Sequence, residues 1–259
     1  MTVRKFIKYL DSIYPLINKE IWDPAGFSVK HNQSVLLTGV MLAIDVTNEV
    51  VLDAIKNNCN VILVHHPFFF EATKEAEQEK APYKFQIWEL LKKHKIFVYA
   101  MHTNYDCDVE GTSYQIAKAL GFEEKIQKDS PKFSALVNCK ISVNELKKII
   151  SQKLNMHSFR TNINKNDLDL PINNFAILSG SGYVGQINQL ASQGINLIVS
   201  SDFKWSDWIN FNELQIKILE IPHLDEQVFA THLFEFLSAK FPKERILKHL
   251  IKVPYYNLD

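Results

Sequence analysis

The chain has 259 residues, 46% of them hydrophobic, with 29 basic and 29 acidic side chains and a formal net charge of +0. That balance gives no electrostatic case for nucleic acid or an acidic membrane as the main partner, and the length suffices for one large domain or two lobes with real cores. No apolar stretch approaches the ~20 residues that span a bilayer. The first residues lack a signal-peptide core, and three widely spaced cysteines (Cys59, Cys107, Cys139) read as reduced thiols, so the expected location is the cytoplasm.

In chain order, Val3 to Ile17 has helical spacing, with Phe6, Ile7, Leu10, Ile13, Tyr14 and Ile17 on one stripe. Pro24 and Gly26 mark a loop. Val35 to Ile44 reads as a strand ending at Asp45, and Thr47 caps a helix through Val50, Val51, Ala54 and Ile55. Val61–Val64 is the next strand. A charged stretch follows Phe68-Phe69-Phe70, then a helix over Tyr83–Lys93 and a strand over Ile96–Ala100. A helix from Thr112 to Leu120 stops at Gly121. Strand and helix thus alternate with near-continuous apolar strands, the pattern of a mostly parallel sheet covered on both faces.

Residues 126 to 132 read as a boundary. Beyond it come a strand Phe133–Cys139, a helix Val143–Leu154 and an irregular polar stretch from His157 to Asn174. Then follow a strand Phe175–Leu178, the turn Ser179-Gly180-Ser181-Gly182, a helix to Gln193 and a strand Leu197–Val199. A short helix near Trp205–Phe211, a strand Ile216–Ile221 and a helix Asp225–Ala239 complete the pattern. The expected fold class is α/β and two-lobed, with mostly parallel or mixed sheets flanked by helices. The first lobe covers 1–125, with 222–259 packing back on it, and the second covers 126–221.

The chemistry-bearing residues gather at strand ends. His65-His66 leave the strand 61–64 just ahead of Pro67; buried imidazoles are costly without partners and are common metal ligands. Asp106 follows the strand 96–100. His223 follows the strand 216–221, with Glu226 in the next turn. Open α/β sheets bind ligands outside the carboxyl ends of their strands, so these five side chains can converge. Imidazoles and carboxylates without clustered thiolates suit Zn, Fe, Mn or Ni. Adjacent histidines on extended backbone diverge, which favours two ions ~3.5–4 Å apart over one.

Other features carry two readings. His102 either packs at a turn or transfers protons, and Asp45 either caps its helix or joins the site. Cys107 is preferred as an inert thiol over a ligand. Gly180-Ser181-Gly182 is a phosphate cradle or a plain turn. The Phe68–Phe70 run and Trp205/Trp208 read as core or interface rather than a base-stacking platform.

The motifs together resemble the GTP cyclohydrolase I type 2 homologue family, also called the Nif-three-like proteins. They are Trp22-Asp23-Pro24-Ala25-Gly26-Phe27, Ala43-Ile44-Asp45-Val46-Thr47, His65-His66-Pro67 with Phe70, and His102-Thr103-Asn104-Tyr105-Asp106 with Gly111. Gly180-Ser181-Gly182, Asp202-Phe203-Lys204 and His223 extend the match to the C-terminal part. The resemblance implies a dinuclear metal site between two lobes, held by His65, His66, Asp106, His223 and Glu226, and a toroidal homohexamer. It implies a metal-dependent hydrolase, with His102 as the catalytic proton-transfer residue and a nucleotide or phosphoester as substrate. By its label, the reaction is hydrolytic opening of a purine imidazole ring with loss of formate. A phosphoesterase and a non-catalytic scaffold that keeps its metals are the alternatives. The chain departs from the family pattern at three places. Gln227 stands where the last acid is usual, with Glu226 one residue early; Ser206 replaces a histidine; and Pro222 replaces a glycine.

Overall fold

The structure, a computed structural model, describes residues 1–255. In chain order its strands are β1 Gly26–Val29, β2 Val40–Ala43, β3 Val61–Val64, β4 Phe97–Ala100, β5 Ala135–Ser142, β6 Arg160–Thr161, β7 Pro171–Ile177, β8 Ile198–Ser200, β9 Ile218–Glu220 and β10 Ile246–Lys248. Two compact units result: Met1–Asp108 with Phe229–Lys252, and Val109–Val228 with the described residues 253–255.

The first unit holds one mixed sheet in the order β1-β4-β3-β2-β10, parallel except for β1. Every residue of β2, β3 and β4 is buried, because helices cover both faces. Val40, Leu42, Leu63 and Tyr99 face Phe6 and Leu10 of the helix Val3–Ile13 and Phe229 and Leu233 of the helix Val228–Lys240. Met41, Ala43, Ile62 and Val64 point the other way, onto Val50, Val51 and Ala54 of the helix Asn48–Lys56 and Ile87 and Leu91 of the helix Tyr83–Lys93. The period-two alternation of the strand thus serves two cores at once.

The second unit repeats the plan in the order β5-β7-β8-β9-β6, with β7, β8 and β9 parallel and antiparallel strands at both edges. Val137, Phe175, Val199 and Leu219 pack on Ile116 of the helix Thr112–Ala119 and on Leu146 and Ile150 of the helix Val143–Leu154. Ile198 and Ile218 pack on Ile187 and Leu190 of the helix Val184–Ser192 and on Phe211 of the helix Trp205–Glu213. Two mixed sheets flanked by helices are the expected fold class.

The division of the chain differs from the expected lobes. The crossing falls at Asp108/Val109 rather than near 126, because Ile116, Ala117 and Leu120 belong to the second core. The return falls at Val228/Phe229 rather than at 222, and residues 256–259 of that expectation lie outside the described residues. The first helix ends at Ile13, since Pro15 disfavours helical backbone at Tyr14. Only Val40–Ala43 of the expected strand 35–44 is paired in the sheet. Strands β1, β6 and β10 and the helix Lys74–Lys80 arise where loop, irregular or charged sequence was read. The expected helix from Asp225 is two elements, a 3₁₀ turn His223–Gln227 and the α-helix Val228–Lys240.

One buried carboxylate ties the loop entering β1 to the segment leaving β4. Asp23 accepts from the Ala25 N–H at 2.8 Å and the Thr103 N–H at 3.0 Å, and also from the Thr103 hydroxyl, which itself accepts from the Glu20 N–H at 2.9 Å. Burial pushes the Asp23 pKa up, but the bonds from His102 and Thr103 outweigh it and set it at about 2 against an ordinary 3.8. A folded-state pKa below the unfolded one favours folding above pH ~4, and that contribution is lost as pH falls toward 2. Urea midpoints taken from pH 5 to 2.5 should show wild type losing about 2 kcal/mol more than Asp23→Asn over that range. Parallel acid limbs for the two proteins would contradict the assignment.

Candidate metal centre

In the first unit, the carboxyl ends of β2, β3 and β4 lie side by side, and strand register sets what meets there. Ala43 pairs with Val64 and Val64 with Ala100, so counting on places Asp45 beside His66, His65 beside Met101, and His66 beside His102. The side-chain bonds follow that register. The His65 ring nitrogen Nδ1 lies 3.0 Å from the Met101 carbonyl. Nδ1 of His66 is 2.9 Å from Asp45 Oδ1, and Nδ1 of His102 is 3.1 Å from Asp23 Oδ1. Thr47, not Asp45, caps the following helix, by accepting from the Val50 N–H at 3.2 Å. Asp45 is therefore a partner of the histidine pair, which sequence reasoning left undecided.

An Nδ1 held by an acceptor carries the proton, which leaves Nε2 as the ligand atom and fixes the ring plane. The three imidazoles sit close together: ring centroids are 5.0 Å apart for His65/His66, 5.2 Å for His65/His102 and 5.7 Å for His66/His102. Each ring offers one nitrogen within 4.8 Å of one from each of the other two. One helical turn, Thr103–Asp106, follows His102 and returns Asp106 Oδ1 to 3.5 Å from His65 Nε2. His65 and Asp106 are both buried.

In the second unit the same design recurs at the ends of β7, β8 and β9. Asp202 follows β8, and its Oδ2 lies 2.6 Å from His223 Nδ1. His223 Nε2 is 2.9 Å from Glu226 Oε2. Glu226, the early acid, thus meets His223. The segment His223–Gln227 is a 3₁₀ helix, in which residues three apart eclipse, so Glu226 reaches His223 from a spacing one residue shorter than an α-turn needs. Burial alone would lower the His223 pKa. The Glu226 charge and the bonds to Asp202 and Glu226 lift it instead to about 11, with Asp225 adding to the field. The His223 bond holds Asp202 below its ordinary value. Burial, then the Glu226 charge, raises the Asp225 carboxyl well above its own. This group of side chains strongly favours a positive charge at His223, supplied by a proton or a cation.

Gly180, after β7, keeps the space open. Its φ is +53°, and a Cβ there would overlap Glu226 Oε1 and stand 3.0 Å from His223 Nε2. The glycine thus serves this pair through backbone conformation and close approach. Ser206 is exposed on the helix Trp205–Glu213, with its hydroxyl 3.4 Å from Asp207. Trp205 is also exposed, while Trp208 packs edge-on to Phe203 and Phe211. Phe68 is buried but Phe70 is exposed, so the aromatic run is not uniformly core.

Each expected ligand therefore sits among groups of suitable chemistry. His65, His66 and Asp106 gather with His102 in the first unit, and His223 gathers with Glu226 in the second. The donor set is imidazole nitrogen and carboxylate oxygen with carboxylate or carbonyl partners behind it, which fits divalent transition metals. Sequence reasoning missed Asp23 and Asp202 as imidazole partners. For Asp202 the available signal was its place just past β8, the parallel neighbour of β9, after which His223 follows; Asp23 had none.

Over residues 1–254 the chain matches the family model described as Duf34/NIF3 (NGG1p interacting factor 3). It is 38% identical over 238 residues to the GTP cyclohydrolase 1 type 2 homolog of Mycoplasmopsis pulmonis, an alignment that spans 90% of this chain and 92% of that protein. The Ureaplasma parvum protein of the same name is 28% identical over 256 residues, spanning 96% and 95%. Among solved structures, the Staphylococcus aureus hypothetical protein SA1388 superposes with a TM-score of 0.86 at 24% identity, covering 100% of this chain and 99% of that one. A Bacillus cereus protein related to NIF3 gives 0.86 at 18% identity, with the same coverage. These two likenesses concern the fold. With a family match along nearly its whole length, the chain belongs to the Duf34/NIF3 family.

Proposed function

We propose that this protein binds two divalent metal ions through His65, His66, Asp106, His223 and Glu226 and acts as a metal-dependent hydrolase. The observation that carries the reading is shared by both units: each imidazole named here has its Nδ1 engaged by an acceptor, so that Nε2 is the atom offered. Zn, Fe, Mn and Ni all suit the donor set. A divalent ion held here supplies Lewis acidity, which lowers the pKa of water and stabilises negative charge developing on oxygen. The chain's own groups do the rest. Asp45 and Asp202 hold the rings of His66 and His223. His102, with Nδ1 3.1 Å from an Asp23 carboxylate oxygen, is the acceptor or donor for proton transfer at the substrate. The name carried by the relatives makes GTP the first substrate to try. We further propose assembly into a homohexamer, for which the exposed Ile17 and Ile21 side chains offer apolar surface.

Elemental analysis of purified, metal-loaded protein should find about two divalent ions per chain. His65→Ala and His223→Ala should each lower that number. Loss of the acceptor in Asp45→Ala or Asp202→Ala should weaken metal affinity by ~10–100-fold without removing a ligand. Wild-type protein that takes up no Zn, Fe, Mn or Ni would end the metal reading. With metal bound, absence of both GTP loss and formate release would end the GTP reading alone.

Gly180→Ala tests the space left at Glu226. The substitution adds a Cβ overlapping a proposed ligand oxygen at a positive φ. Circular dichroism should show the fold retained while metal content falls as it does for His223→Ala. Full metal content in this variant would show that the gap has no bearing on binding.

A further inference from the structure

The metal reading leaves a second feature of the first unit unused. Trp22 is 60% exposed and Phe70 is 43% exposed, and their ring centroids lie 6.1 Å apart at an interplanar angle of 42°. Both meet His102 nearly edge-on, Trp22 at 5.9 Å and 78°, Phe70 at 6.1 Å and 79°. Three rings thus form an open triangle, two of them large, apolar and wet.

A buried carboxylate braces the backbone near each exposed ring. Asp23, next to Trp22, is locked by the Ala25 and Thr103 N–H groups and faces His102. Glu77, also buried, accepts from the Phe70 N–H and the Glu71 N–H, both at 2.7 Å. Lys84 neutralises Glu77 with its ammonium at 2.6 Å. Two buried acids therefore fix the backbone on either side of rings that gain little from packing. Such support marks a surface pre-organised for a ligand rather than stray exposed apolar residues.

We propose that Trp22 and Phe70, with His102 at their edge, form a subsite for the planar heteroaromatic ring of a nucleobase-class ligand. Aromatic faces stack on any base, and an imidazole edge adds one hydrogen-bonding position that an aliphatic ligand would not use. A ring seated here lies beside His102, whose centroid is 5.2 Å from His65 and 5.7 Å from His66. The subsite rests on the metal reading only for the statement that the ring is then hydrolysed; ring binding itself needs no metal.

Equilibrium dialysis in the presence of chelator, with guanosine and with ribose 5-phosphate as probes, separates the possibilities. Guanosine should bind saturably and ribose 5-phosphate should not. Trp22→Ala and Phe70→Ala should each weaken guanosine binding by about tenfold or more, while Trp22→Phe stays within about threefold of wild type. Metal uptake, measured separately, should be the same in all four proteins. The proposal fails if guanosine does not saturate, or binds equally well to both alanine variants. It also fails if Trp22→Ala lowers the solution mass by light scattering, since a second copy of the chain would then occupy these rings. Wild-type protein that binds guanosine but takes up no metal would instead overturn the metal reading alone.

Discussion

An imidazole tethered at Nδ1 is the interaction on which the candidate centre depends. A free ring at a strand end can rotate and exchange tautomers, and each freedom blurs where its other nitrogen points. A bond from Nδ1–H to a fixed acceptor removes both. His65 uses a backbone carbonyl and His66 and His223 use carboxylates, while His102 Nδ1 lies 3.1 Å from an Asp23 carboxylate oxygen. The distinction has a chemical consequence. A carboxylate behind an imidazole makes it a stronger base and ligand, while a carbonyl orients the ring with less electronic effect. His65 also has the least access to solvent, where a neutral partner avoids adding a buried charge.

Both units solve the placement problem in one way. Three adjacent parallel strands, buried on both faces, leave their polar chemistry to the carboxyl ends: Asp45, His65-His66 and His102 in one unit, Gly180, Asp202 and His223 in the other. Parallel register then carries the precision. Because side chains on neighbouring strands advance together, an acid two residues past β2 comes level with a histidine two residues past β3. The partners are positioned by the ladder hydrogen bonds and not by the loops that follow, and rigid elements hold a constellation more closely than loops do.

Much of this was legible in the sequence. The strand Val61–Val64 and the helices Tyr83–Lys93 and Val143–Leu154 fall where apolar period and capping residues put them. Those segments are central or strongly amphipathic, so local pattern and tertiary environment agree. The edge strands β1, β6 and β10 were not legible. They have two to four residues, and β6 is exposed Arg160-Thr161, so pairing with β4, β9 and β2 respectively decides their state rather than any pattern of their own. The placement of His65, His66 and His223 beside carboxylates was readable because each follows closely on a strand end, and Asp106 and Glu226 fall within the first helical turn after one. Asp23 could not be read, because its contacts to Thr103 and His102 cross some eighty positions of chain and no local spacing announces them.

The departures near the C-terminal part of the site follow from one local conformation. Pro222, at φ −62°, opens the segment with no N–H to satisfy, and the turn that follows is 3₁₀ rather than α. In that tighter winding the acid belongs at the third position after His223, which is Glu226, and Gln227 falls past it. The 3₁₀ winding and the three-residue spacing of the acid agree with each other, and together they give the imidazole–carboxylate contact. Ser206 belongs to a different place, an exposed helix surface whose hydroxyl meets only its neighbour Asp207 among the bonds described there. The lost histidine therefore does not touch the tethering of His65, His66, His102 or His223. The imidazole–carboxylate groups at the strand ends are thus untouched by the change at position 206, which lies on an exposed helix surface.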